Sequence, residues 1–339
     1  MSIHHGITTV FIAVSALMTA SCGKTSIPQD TAGGISFMTS VGTRAIVEDD
    51  ADLRNGGLGI YAVMLPQPDN AGLFFDNVHL EYSDAEGWSY TPPQYWISGY
   101  EYCFWAIHPY MESPQSIAAT SGSLSVTGYK LTRENLRTDF MIGAAYRDQR
   151  QSVDLSPVPI VLGHAMASLD FRIRNGSGRT VREIKDLSFT GMKSKCDMTM
   201  TAASEEFPHG TLSVSSDSYQ IQTGQSPYSD ELPMVLPEGG MPDDLTTYYT
   251  LYREGAFLAV PQRVAGGGNT SRNISLSFTV VYEDGSSQKC EVNLSSNTTS
   301  ETEYWEAGNK YTYNITLTEE RITFEVTVID WIDDIIPLD

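Results

Sequence analysis

Positive charge is scarce in this sequence. Its 339 residues carry 21 Lys and Arg against 42 Asp and Glu, a formal net charge of −21. Such a chain is repelled by phosphate backbones and by anionic lipid surfaces. No nucleic-acid partner is expected, and any membrane attachment must be covalent or inserted. Cysteine is scarcer still. Cys22, Cys103, Cys196 and Cys290 show no CxxC spacing, which excludes a disulfide framework or a zinc ribbon. His79, His108, His164 and His209 are scattered without ligand spacing, so no metal and no cofactor are expected. The sequence contains no GxSxG elbow, no GxxxxGK[ST] loop and no HExxH helix. Asp139 and His164 can pair, but no nucleophile motif accompanies them, and the chain reads as a non-enzyme. The acidic run at residues 48–52 fails as a calcium loop because Arg54 falls on an oxygen-ligand position; it reads as a solvated segment.

Long apolar runs are also missing after residue 20. Residues 7–20 (ITTVFIAVSALMTA) are too short to span a bilayer comfortably, and they end in Thr19-Ala20-Ser21 before Cys22. The expectation is a lipoprotein signal over residues 1–21. Cys22 is then diacylated with palmitate-type chains as the first mature residue, which anchors the chain to the outer membrane. Two acyl chains hold a protein stably where one does not.

Helical periodicity is absent over any long stretch. Period-2 alternation replaces it at residues 35–41, 58–64, 100–107, 124–129, 140–146 and 168–173. The second half repeats the pattern at 184–189, 257–260, 274–282, 290–294 and 311–317. Short β-branched and aromatic segments between Gly, Pro, Asn, Asp and Ser clusters predict an all-β chain of sandwiches. Residues 23–34 read as a polar linker. Residues 147–159, with Pro157 and Pro159, read as a domain joint. Residues 204–247, with five prolines, read as an excursion with short structure of its own.

Several phrases together resemble one family. They are Ile35-Ser-Phe-Met-Thr-Ser-Val-Gly-Thr-Arg44-Ala45 and Leu58-Gly-Ile-Tyr-Ala-Val, then Tyr95-Trp96 before Tyr102-Cys-Phe-Trp-Ala-Ile-His-Pro109. Next come Thr138-Asp139-Phe-Met-Ile-Gly-Ala, Val161-Leu-Gly-His164-Ala-Met-Ala and Leu258-Ala-Val-Pro261-Gln262. The last is Trp305, Gly308, Tyr311 and Tyr313 before Val326-Thr-Val-Ile-Asp-Trp331. Their order over residues 22–331, behind a lipoprotein signal, resembles the fimbrillin family of Bacteroidetes, the FimA/Mfa-like pilins of type V pili. The resemblance implies two tandem transthyretin-like β-sandwiches, here placed at 45–160 and 161–339 behind a propeptide at 22–44. It implies surface export, an Arg-specific protease, other fimbrial subunits as partners, and polymerisation by donor-strand exchange into an extracellular fimbrium.

The residues give each step a physical basis. Ile35, Phe37 and Val41 lie on one face of an alternating strand, and Arg44-Ala45 follows in an exposed context suited to cleavage. Removing that strand leaves unpaired backbone groups beside an apolar groove. Ile322, Phe324, Val326 and Val328 repeat the same alternation near the C-terminus. The 322–336 segment reaches about 50 Å at ~3.3 Å per residue, so it is the expected donor. The competing expectation is a monomeric surface lipoprotein that binds glycans by stacking on Tyr95, Trp96, Trp105 and Trp305. It requires these rings to line one exposed cleft.

Overall fold

The computed structural model describes residues 33–41, 50–67, 72–113, 116–221, 226–230, 232–265, 273–300, 302–319 and 321–330. Cys22, Arg44, Ala45, Trp331 and residues 331–336 of the expected donor lie outside the described residues.

In chain order the elements begin with β1 (Phe37–Val41), α1 (Asp50–Gly56), β2 (Leu58–Leu65), β3 (Phe75–Ser83) and β4 (Gly87–Ser89). Then come β5 (Glu101–His108), β6 (Ile117–Ala119), β7 (Ser123–Lys130), β8 (Met141–Asp148), β9 (Val158–His164) and β10 (Ala167–Gly176). There follow β11 (Val181–Thr190), β12 (Lys195–Thr201), β13 (Leu212–Ser215), β14 (Asp244–Thr250), β15 (Phe257–Ala259) and β16 (Gln262–Arg263). The last are β17 (Ser275–Tyr282), β18 (Ser287–Asn293), β19 (Tyr304–Trp305), β20 (Asn309–Thr318) and β21 (Ile322–Asp330). The chain is all-β, as its alternation predicts.

A seven-stranded sheet runs β1-β9-β8-β5-β2-β3-β4. A four-stranded sheet, β13-β12-β7-β6, lies over one of its faces: the Trp105 indole donates to Thr201 O at 3.4 Å from the sheet beneath. The remaining strands form a β14-β10-β20-β21 sheet with β15 beside β10, a β11-β17-β18 sheet, and the β16-β19 pair.

Side-chain pattern explains which strands are central. β5 reads EYCFWAIH and is buried at every position after the first, because both faces of the seven-stranded sheet are covered. Tyr102, Phe104 and Ala106 join a cluster on one face with Phe75, Trp96, Val158 and Ile160. Cys103, Trp105 and Ile107 face the opposite way. They join a continuous core that runs through Leu124, Met198 and Met200 to Phe171, Phe278, Val280 and Tyr313. β17, and β20 from Lys310 on, by contrast, alternate between buried and half-buried positions, as one-faced strands do.

Three placements bear on the expected organisation. The boundary drawn at 160/161 falls within β9. The segment 147–159, expected as a joint, connects β8 to its sheet neighbour β9. β12, from beyond that boundary, returns to pair with β7 and carries β13 on its other side. The described part of the acidic run, from Asp50 on, is helical and not a plain solvated segment. α1 begins at Asp50, buries Leu53, and ends where Gly57 takes φ +61, with its N–H donating to Leu53 O. The 204–247 excursion contributes β13 and part of β14, and it packs Tyr228 wholly inside.

Candidate functional site

The strand singled out by the sequence, β1, is the terminal strand of the seven-stranded sheet. It pairs in parallel with β9 from Phe37↔Val158 to Val41↔Leu162, and among the described residues with no other strand. Alternation sorts the side chains of this segment: Ile35 and Phe37 are buried, while Met38, opposite Pro159 in the ladder, is exposed. The Val41 side chain lies outside the described residues.

The socket for Phe37 is aromatic. Its ring meets Phe104 at 5.6 Å, Phe75 at 5.8 Å and Tyr90 at 5.8 Å between centroids, all edge-on. Such edge-to-face pairs add about 0.5–1.5 kcal/mol each beyond area burial. Polar contacts pin the segment ahead of the strand. The Ile35 N–H donates to Gln94 O at 2.9 Å, and the Tyr90 hydroxyl donates to Ile35 O at 2.9 Å. Burial pushes the Tyr90 phenol above its ordinary pKa, so it stays a neutral donor. The Val158 N–H donates to Ser36 O at 2.8 Å. Phe75, Tyr90 and Gln94 were not singled out by sequence reasoning. The aromatic density of residues 74–90 was the available signal.

β9 is asymmetrically supported. β8 pairs with it from Ala144↔Val161 to Met141↔His164, so among the described residues Val158, Pro159 and Ile160 have β1 as their only strand neighbour.

The second candidate segment, β21, is the terminal strand of its own sheet. It runs antiparallel to β20 over nine register pairs, Asn309↔Asp330 to Leu317↔Ile322. Phe324 is buried, while Ile322, Val326 and Val328 are half-buried against the core. The structure does not bring β1 and β21 together; they occupy edges of different sheets.

His164 and Asp139 are paired, with the imidazole fully buried. A cavity of about 510 Å³ opens beside them, lined by Asp52, His108, Asp139, Phe257 and Lys310 among others. His108 Nδ1 sits 3.0 Å from Gly57 O, and burial lowers its pKa from the ordinary value. Among the described residues, no group of three His, Cys, Asp or Glu is placed to hold a metal. Burial pushes the Cys103 and Cys196 thiols up to about 12 and Cys290 to about 11.

The rings required for the glycan reading do not share an exposed cleft. Trp96, Trp105 and Trp305 are buried, and only Tyr95 is exposed. The Trp305 indole donates to the Tyr313 hydroxyl at 2.8 Å, a core contact.

An all-β chain with an apolar plug strand on a sheet edge is the class of protein these observations define. A family profile described as Fimbrillin-like matches residues 43–331, most of the sequence, and the chain belongs to that family. Solved structures agree on the fold. A fimbrial protein of Bacteroides vulgatus superposes with a TM-score of 0.56 at 18% identity, covering 88% of this chain and 99% of its own. A cell-adhesion candidate from Bacteroides ovatus gives 0.52 at 14% identity, covering 89% and 99%. One from Bacteroides uniformis gives 0.51 at 17%, covering 88% and 98%. No curated protein sequence matches the chain.

Proposed function

We propose that this chain is a structural or adhesive pilus subunit of the bacterial surface, exported as a Cys22-anchored lipoprotein and activated by an Arg-specific protease at Arg44-Ala45. The observation that carries the reading is the one-sided attachment of β1. A strand held by a single neighbour can leave without opening the sheet. Its departure uncovers a β9 ladder and the socket of Ile35 and Phe37. Burying two such side chains stabilises by roughly 1.5–3 kcal/mol each, which is the drive to refill the groove. The vacated edge then takes a strand from another subunit. The 322–336 segment is the donor in this reading. In support, β21 ends a sheet and is joined by one ladder only, so it too can leave at the expense of a single strand pairing. Donor and acceptor surfaces differ, so the contact propagates into a filament rather than closing a dimer.

The test is limited trypsin digestion of the full chain, viewed by negative-stain microscopy, beside Arg44→Ala and a chain ending at Arg321. Filaments from wild type alone fit the proposal. Filaments from the chain ending at Arg321 place the donor elsewhere, and filaments from Arg44→Ala place the cut elsewhere. Monomers in every case refute polymerisation by this route.

A further inference from the structure

β9 starts as an unsupported strand. Its first three residues leave β8 behind, while β8 continues over Ala145–Asp148, paired among the described residues to β5 alone. An edge with no second neighbour is expected to collapse or fray once β1 is gone. Side chains fill the gap that the ladder leaves. The Arg147 guanidinium reaches across from β8, its Nη2 donating to Pro157 O at 2.7 Å and to Ser156 Oγ at 3.1 Å. Its Nη1 lies 3.3 Å from the Asp154 carboxylate. Pro157 immediately precedes Val158, the residue that makes the first bond to the β1 segment.

The connecting loop is closed by a second device. The Gln149 amide is wholly buried; its Nε2 donates to Asp154 O at 2.8 Å, and its Oε1 accepts from the Asp154 N–H at 2.7 Å. The Gln149 backbone is itself fixed, with N–H to Tyr100 O and C=O from Gly99 N–H, both 2.9 Å. Asp154 Oδ1 then accepts from Ser156 N–H at 2.9 Å. None of these bonds involves β1.

We propose that Arg147, Gln149 and Asp154 form a clamp that holds residues 154–160 as an ordered strand edge whether or not β1 occupies it. The clamp keeps the acceptor groove in shape between loss of one strand and arrival of the next. The inference rests on the strand-replacement reading for its purpose, and on geometry alone for its existence. Arg147 is a positioning residue: it touches the loop and leaves the ladder to the backbone. The kind of segment the held edge fits is extended, uncharged and apolar at alternate positions, as β1 is.

The experiment uses the full chain carrying Phe37→Asp, which expels β1 from its socket, or Phe37→Gly where the charged variant does not fold. Amide hydrogen exchange is read residue by residue. The clamp predicts that Val158 loses protection while Gln149 and Asp154 keep theirs within about threefold of wild type. Adding Arg147→Met should then speed exchange at Asp154 and Ser156 by about tenfold or more, the scale of one charge-assisted hydrogen bond. Collapse of Asp154 protection in Phe37→Asp itself, with Arg147 present, overturns the proposal, because β1 would then be what orders the loop. A fluorescent peptide of residues 33–44 is titrated into the same proteins. Binding to Phe37→Asp that weakens about tenfold with Arg147→Met supports the clamp as a groove-shaping device. Equal binding to both contradicts that role. Absence of peptide binding beside a protected Asp154 sinks strand replacement and leaves the clamp standing.

Discussion

Replacing Phe37 by Ala probes whether β1 is a separable piece of the fold. The ring is 5% exposed and meets three other rings edge-on. Where the chain cannot rearrange, a buried Phe→Ala change costs about 3–5 kcal/mol. β1 can rearrange, because among the described residues β9 is its only strand neighbour. The loss therefore falls on docking of the strand and not on the whole fold. At 1.4 kcal/mol per tenfold, a loss of about 3 kcal/mol raises the opening equilibrium of β1 by roughly a hundredfold. Amide exchange should report it at Ile35 and Val158, whose N–H groups bond Gln94 O and Ser36 O. The urea midpoint should move little by comparison. Met38→Ala is the control: its side chain is 53% exposed, and the change should stay within about 0.5 kcal/mol. A loss of the full 3–5 kcal/mol in urea unfolding, with Ile35 and Val158 exchange unchanged at low denaturant, would rule out a separable β1. β1 would then belong to the cooperative core.

Further outcomes follow from other contacts. Tyr313→Phe leaves the buried Trp305 N–H without its acceptor and should destabilise by about 1–3 kcal/mol in urea titration. Phe324→Ala removes a buried side chain of β21 and should speed trypsin cleavage after the exposed Arg321 well before the rest of the chain unfolds. Burial lowers the His108 pKa, so the unfolded chain binds this proton more readily than the folded one. Stability should fall as pH drops below about 6.5, and His108→Phe should flatten that part of the pH–stability curve. The groups facing His108 are Asp52, Asp139 and His164, and they remain in the variant. Cys103, Cys196 and Cys290 are buried with raised thiol pKa values, so a maleimide at pH 7 should label them only in urea, as read by mass spectrometry.

Strand existence was legible in the sequence because period-2 alternation is a local property. β10, β17 and β20 fall where their alternation placed them, and so does β5, whose burial on both faces the alternation read at 100–107 did not show. Partner choice was not legible. Alternation says which face a residue shows but not which strand lies alongside, so the pairing of Cys196 with Tyr129 across the chain left no local trace. β9 was obscured by Pro157 and Pro159, which read as a joint. In the fold Pro159 sits opposite Met38 on one side and outside the β8 ladder on the other, where a missing N–H costs least. α1 is a single short stretch with one buried apolar residue, Leu53, too little for a helical period to register. At the candidate site, the strand of Ile35 and Phe37 was readable because its own pattern carries it. Its socket was not, since Phe75, Tyr90 and Phe104 come from three separate segments that only the fold assembles.

The central claim is that the β9 edge holds its own chain's β1 first and another subunit's strand afterwards. Filaments or SDS-resistant ladders obtained after trypsin treatment should be isolated, then analysed by mass spectrometry and by amide exchange together. The account predicts that residues 33–41 are absent from the assembled material while the Val158 amide is as protected as in the intact precursor. Assemblies that retain residues 33–41, or that leave Val158 open to exchange, would contradict it.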